Sequence, residues 1–455
     1  MARWSRDVPL LALTSGGESP EFDQWTILAP RTTSHRIDVR TSDAQRLHEA
    51  LREFSPACDP AITPATSPGG AQRLPFASGW IGFIGYDCGA LFEPHAMTRD
   101  GAHTRVPSTS RGKKEWPDAM LCRVERALIY CHAHGVWFEV GRADGREVAS
   151  LVDEHASDCD EECGWSPCDE GALRAGATDG QFAATVRRTI ELIRAGDIFQ
   201  TNVSQEYRAA FTGSARAFAL DALACAAPRY GAALELDDDH AVVSLSPELF
   251  LAVDGATRTV TTRPIKGTRA LHRDAEALRA SEKDAAELHM IVDLMRNDLG
   301  RVCELGSVRV TRAREIEPHP TILHAVAEVS GRLATSADLG DLFAATFPPG
   351  SVTGAPKVRA MQIIDELEAS RRGPYCGAIG FSSGCGSALF NVAIRTAVLT
   401  RSAHPHEWAI DYRAGCGIVA ESDPTLEEAE SNDKTLALRT VLARNGVLAH
   451  PHARP

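Results

Sequence analysis

Thr257-Arg258-Thr259-Val260-Thr261-Thr262-Arg263-Pro264-Ile265-Lys266-Gly267-Thr268-Arg269 is the stretch from which the chain is read outward. The β-branched run at 257–262 predicts a strand. Pro264 and Gly267 punctuate it, and a polar, helix-forming segment follows. Lys266 is thereby held at a rigid strand end, where an amine can be aimed at a substrate. An amine attacks an electrophile only in its neutral form, which burial or nearby cations favour. The same position also fits an ordinary solvated or salt-bridged lysine, and the segment alone does not separate the two.

Around it, strands follow one another with few helices between them: 241–245 upstream, then 378–383, 388–399 and 407–413 downstream. Helical spacing marks Phe182, Val186, Ile190 and Ile193, a segment at 281–299, another at 355–369 and a last helix at 424–444. Residues 8–145 read as strands broken by Pro/Gly turns, with 121–130 and 135–140 as a hairpin around Cys131-His132-Ala133-His134. Residues 98–117 read as a polar loop. This succession predicts an α+β fold with antiparallel sheets, not a doubly wound parallel one. A stretch rich in Asp, Glu, Gly and Cys divides the chain into a region 8–150, a linker 151–180 and a region 181–446.

At 455 residues, 44% hydrophobic and 24% charged, the chain has a globular composition. It contains no apolar run of about 18 residues, so no membrane partner is expected, and no secretory signal is expected at its N-terminus. The net charge of −13 argues against nucleic acid, but a small anionic substrate needs only local positive groups. The 12 scattered cysteines read as free thiols of a cytoplasmic protein. Cys159, Cys163 and Cys168, with His155, lack the paired C-x2-C spacing of a zinc site.

Several segments carry candidate chemistry. Ser422-Asp423-Pro424 caps the last helix, and Glu427, Glu430 and Lys434 then fall on one face. Neighbouring carboxylates suit a hard cation such as Mg2+; they equally suit a solvated surface with Lys434 as counter-charge. Glu287 borders the apolar stripe of Leu288, Ile291, Val292, Met295 and Leu299. Ala414-Gly415-Cys416-Gly417, placed between a strand and the last helix, offers backbone N–H groups to an anion or makes a plain turn. Arg395, inside an apolar strand, needs a carboxylate, supplied by a ligand or by the protein itself. Gly350-Ser351-Val352-Thr353-Gly354-Ala355-Pro356-Lys357 has the wrong spacing for a phosphate loop, and Pro356 removes an N–H.

Taken in order, Phe76–Asp87, Gly196-Asp197-Ile198-Phe199-Gln200-Thr201-Asn202, Pro264-Ile265-Lys266-Gly267-Thr268, Ala286–Asp298, Phe347–Lys357, Tyr375-Cys376-Gly377-Ala378-Ile379-Gly380, Ile394-Arg395-Thr396 and Gly415–Val419 resemble the chorismate-utilising enzymes over the chain after about residue 70. The resemblance implies the fold of anthranilate synthase component I: two antiparallel sheets packed in the core with helices outside, and 181–446 as the chorismate-binding region. It implies Mg2+ held by Glu287 and Glu430 with Glu427 close by. It implies Glu248 as the acid assisting loss of the ring hydroxyl, Lys266 as the nucleophile later displaced by ammonia, and His324 near the ring. It also implies chorismate contacts by Gly267, Thr268, Tyr375, Arg395, Gly415, Cys416, Gly417 and Lys434.

A lysine in Pro-Ile-Lys-Gly-Thr is similar to the branch forming 4-amino-4-deoxychorismate for 4-aminobenzoate and folate, whereas anthranilate-forming members usually carry a small residue there. Isochorismate and salicylate synthases are further relatives, and a non-catalytic amidotransferase partner is the reading from another class. Cys385 and Cys416 lack the neighbours of a glutaminase nucleophile, so ammonia is expected from a glutamine amidotransferase subunit. Cys416 and Glu421 depart from the family pattern, and Leu13–Pro20 only loosely resembles its tryptophan-binding motif.

Overall fold

Alternation along the strands explains how this sequence stacks two sheets. Leu10 and Ala12 enter one buried cluster, while Leu11 and Leu13, their neighbours, enter another. Ala241 and Val243 likewise part from Val242, and Ala378 parts from Ile379 and Phe381. Successive side chains on a strand point to opposite faces, so such strands are buried on both sides. The computed structural model describes residues 1, 3–15, 25–37, 51, 74–96, 116–141, 151–152, 164–169, 172–176, 180–270, 275–318, 322–404 and 406–444. Most of the 98–117 loop and the 151–180 linker lies outside these residues, as do His155, Cys159, Cys163 and the second half of Leu13–Pro20.

Among the described residues the strands form one sheet of 12 and one of 10. The pairings within both are antiparallel, as between Gln200–Gly213 and Glu407–Ile418 in the first and Ala378–Ser383 and Ala388–Val392 in the second. A middle core lies between them, joining Leu11, Ile27 and Val242 of the first to Ile81, Phe83 and Phe381 of the second. Helices Ala215–Ala226 and Leu436–Ala443 cover the outer face of the first sheet. Helices Glu282–Gly300 and Leu339–Thr346 cover that of the second. The expected α+β architecture is the one observed. Leu10–Thr14 pairs with Tyr230–Glu235 and Gly79–Ile84 with Ala378–Ser383, so the 8–150 and 181–446 regions share both sheets. No helix of the described residues is long and apolar enough to cross a membrane.

Several boundaries differ from the sequence reading. Residues 121–130 are not one strand: Ala119–Val124 belongs to the second sheet and Arg126–Cys131 to the first, with Glu125 at the crossing. The hairpin is Arg126–Cys131 with Val136–Gly141. The 388–399 strand also breaks, into Ala388–Val392 and Thr396–Arg401 in different sheets, with Arg395 at φ 52° between them. Because buried strands are apolar on both faces, the pattern runs through a crossing without interruption. The 424–444 helix is two, Pro424–Asp433 and Leu436–Ala443.

The decisive stretch changes too. Thr259–Arg263 stops at Pro264, and a new strand, Ile265–Ala270, starts at once. Both pair with Ile322–Arg332. Lys266 is therefore the second residue of a new strand, in the irregularity between the Ile265–Val326 and Thr268–His324 pairs, and not the end of the first strand.

Candidate active site

Strands from the two sheets meet at Gly417. In the first sheet, Gln200–Gly213 pairs with Glu407–Ile418, setting Asn202 opposite Gly417 and Val203 opposite Cys416. From the second sheet, Lys266 reaches the same place. Its Nζ lies 2.9 Å, and Gln200 Nε2 2.7 Å, from the point that a Cβ on residue 417 would occupy. Glycine there leaves room for both groups. The residue after the lysine, Gly267, has φ 85°, in the left-handed region that glycine adopts without strain. Residues 415–417, expected between a strand and a helix, lie inside the strand instead. The small, apolar Ala414-Gly415-Cys416-Gly417-Ile418 continues its pairing past Arg413.

Carboxylates gather around this lysine. Glu248 follows strand His240–Ser246 and is 4% exposed. Burial pushes its carboxyl up to about 7, against hydrogen bonds from the Ser351 hydroxyl and Ile265 N–H and the charges of Lys266 and Arg395. Burial also raises Glu287, on helix Glu282–Gly300, with Lys266 and Lys283 opposing. Glu427 is buried. Lys283 Nζ stands 3.7 Å from Glu427 and 4.0 Å from Glu287. For Glu430, burial acts upward, but Lys434, Lys266 and Lys283 hold it below the ordinary carboxylate range. Solvent weakens that effect, since its side chain is 57% exposed.

Lys434 closes the cluster, donating to Gly415 O at 2.7 Å and pairing with Glu430 at 2.8 Å. Burial disfavours its charge, yet Cys416 and Glu430 raise its proton affinity above the usual lysine value. Burial pushes the Cys416 thiol up to about 12; it donates to Glu427 O at 3.2 Å. Ligand atoms of Cys416, Glu427 and Glu430 lie within 4.8 Å of one another. Arg395, at the sheet crossing, has no carboxylate of the described residues within ion-pair distance. Burial lowers its proton affinity, and Tyr412 and Glu248 oppose this.

The structure thus brings together Lys266, Glu248, Glu287, Glu427, Glu430, Lys434, Cys416, Gly415 and Gly417, with Arg395 in electrostatic reach of Glu248. His324 is buried on Ile322–Arg332, in register with Thr268; the Thr268 side chain lies outside the described set. Tyr375 packs in the second sheet's core, 5.8 Å from the Arg372 guanidinium. Lys357 is committed to Asp298 at 2.7 Å and Thr346 O at 2.9 Å, which accords with rejecting a phosphate loop. A cavity of about 330 Å³ lies elsewhere, between the sheets, lined by Leu13, Thr14, Trp25, Tyr230 and Asn391.

Sequence reasoning missed Gln200 as a site residue, together with Ser351, Lys283 and the frame below them. In that frame Glu368 accepts from Arg372 at 2.7 Å and Arg413 at 3.0 Å, while Arg372 also donates to Val352 O and Asn202 O. Burial pushes Glu368 up, but the two guanidiniums outweigh it and hold the carboxyl at about 2. A Glu and an Arg four residues apart read as a surface pair; only the tertiary contacts reveal them as buried.

The chain matches the family described as chorismate binding enzyme over residues 18–440 and belongs to it. It is 35% identical to aminodeoxychorismate synthase component 1 of Salmonella typhimurium, covering 94% of this chain and 86% of that one. It is 34% identical to anthranilate synthase component 1 of Streptomyces coelicolor, covering 81% and 74%. Among solved structures, anthranilate synthase component I from Streptococcus pneumoniae TIGR4 matches with a TM-score of 0.72 and 28% identity, over 93% of each chain.

Proposed function

We propose that the chain is the aminating component of a two-component enzyme, converting chorismate and ammonia to 4-amino-4-deoxychorismate for 4-aminobenzoate and folate synthesis in the cytoplasm. Relatives that form anthranilate lie at comparable identity, so the choice rests on Lys266. The observation that carries it is the Lys266 amine beside Gly417, in reach of a buried carboxyl with a raised proton affinity. In this reading Glu248, protonated below about 7, gives its proton to the departing ring hydroxyl, which leaves as water. The Lys266 amine, which must first be deprotonated, forms a bond to the ring and passes a proton to the Glu248 carboxylate. Ammonia then forms the new C–N bond as the lysine–ring bond breaks, and the amine is restored.

The carboxylates of Glu427 and Glu430, whose ligand atoms lie within 4.8 Å of each other, and of Glu287, in electrostatic reach of Glu427, are hard oxygen donors, which fits Mg2+. Glu287 and Glu430 would hold it, Glu427 standing close, and the bound ion would offset the substrate's carboxylate charge. Arg395 is available for the same purpose. Ammonia is assigned to a separate glutamine amidotransferase subunit: a thiol pushed up to about 12, as at Cys416, is a poor nucleophile, and Cys385 is buried against Ser383.

The test is to incubate the purified chain with chorismate, Mg2+ and an ammonium salt. The expected product is 4-amino-4-deoxychorismate, with glutamine replacing ammonia only when a glutaminase subunit is added. Anthranilate or isochorismate as the main product would overturn the assignment, and glutamine-dependent turnover by the chain alone would remove the partner.

A further inference from the structure

Besides Lys266, two lysines attend the acidic cluster, and they are held differently. Lys434 makes hydrogen-bonded contacts, 2.8 Å to Glu430 and 2.7 Å to Gly415 O, with its side chain 33% exposed. Lys283 makes none of that length. Its Nζ lies 3.7 Å from Glu427 and 4.0 Å from Glu287, and its side chain is 51% exposed. The carboxylates it faces are themselves largely enclosed, at 7% and 13% exposure, and come from separate helices. One half-exposed ammonium therefore stands within ion-pair distance of two enclosed anions, without a hydrogen bond to either.

We propose that Lys283 is an exchangeable internal counter-cation, which offsets part of the charge of Glu287 and Glu427 before a divalent cation arrives and competes with that cation for them. The proposal rests on the reading that Glu287, Glu427 and Glu430 hold such a cation. An ammonium and a divalent ion repel each other and cannot share the gap between the two carboxylates. The long stem of Lys283 can turn its head into water without disturbing the core, and ion pairs open to solvent are weak. Displacement is therefore easy but not free. It lowers the apparent metal affinity by the fraction of molecules in which the lysine occupies the gap.

The experiment compares wild type, Lys283→Met, Lys283→Arg and Glu430→Gln as full-length chains, titrated with Mn2+ alone and read by the free-ion EPR signal. Lys283→Met should bind Mn2+ roughly threefold to tenfold more tightly, and Lys283→Arg should stay near wild type. In EDTA the Met variant should melt below wild type, and saturating Mg2+ should remove the difference. Unchanged or weaker Mn2+ binding by Lys283→Met, while Glu430→Gln abolishes binding, overturns the role of Lys283 alone. If wild type binds no Mn2+, the divalent-cation reading falls, and the proposal with it.

Discussion

Replacing Gly417 with alanine tests the geometry on which the assignment of Lys266 depends. The added Cβ would lie 2.9 Å from Lys266 Nζ and 2.7 Å from Gln200 Nε2, whereas an unstrained contact needs about 3.5 Å. The two groups must retreat by roughly 0.6 and 0.8 Å. Both are the ends of side chains, not backbone, so the fold should yield at a cost of about 1 kcal/mol, at the low end for overpacking. For a protein of this size that is a fall in Tm of only a few degrees. Chemistry is less forgiving: misplacing a reacting group by about 1 Å costs on the order of a hundredfold. The Ala variant should therefore lose roughly tenfold to a hundredfold in kcat for ammonia-dependent product formation, with circular dichroism and melting close to wild type. Wild-type kcat in a folded variant would mean that the amine does not act from this position.

Lys266→Ala should form no covalent adduct with chorismate and should fall sharply in 4-amino-4-deoxychorismate output; mass spectrometry of wild type with chorismate and Mg2+, without ammonia, checks for the adduct. An alanine variant working at the wild-type rate would reduce Lys266 to an electrostatic role. Because the Glu248 carboxyl is pushed up to about 7, kcat/KM measured at constant free ammonia should decline as pH rises through that value; a limb that survives in Glu248→Gln belongs to another group. Glu368 is held at about 2, below its ordinary 4.5, so its contribution to stability is present above 4.5 and lost as pH falls toward 2. Glu368→Gln should cost about 3–5 kcal/mol near neutrality, as for breaking a buried ion pair, and should flatten the acid end of the stability curve in denaturant titrations.

Long amphipathic or capped segments were legible in the sequence: helices Gln181–Arg194 and Glu282–Gly300 and strand Ala378–Ser383 lie where the pattern puts them, to within a residue or so. The sheet crossings at Glu125 and Arg395 were not, because alternation specifies burial on both faces without saying which sheet receives the strand. The charged side chains of the site stood out by residue type and spacing. Gln200 and Ser351 did not, since nothing local distinguishes a buried amide or hydroxyl aimed at a site from one on a surface. Lys283 was passed over for the opposite reason, being an ordinary lysine on an exposed helical turn until Glu427 arrives from a distant helix.

The interleaving of the two halves bears on how the molecule is made. Leu10–Thr14 has its partner at Tyr230–Glu235, more than two hundred residues later, and Gly79–Ile84 waits for Ala378–Ser383. During synthesis each finds an early partner along one edge, Trp25–Pro30 and Ala119–Val124 respectively, but the other edge stays open until half or more of the chain has left the ribosome. High contact order of this kind makes folding slow and aggregation a hazard. A fragment covering 181–446 alone would keep every acidic residue of the site yet expose the edge at Tyr230–Glu235, so chaperone dependence and insolubility are the expected behaviour of any truncated form.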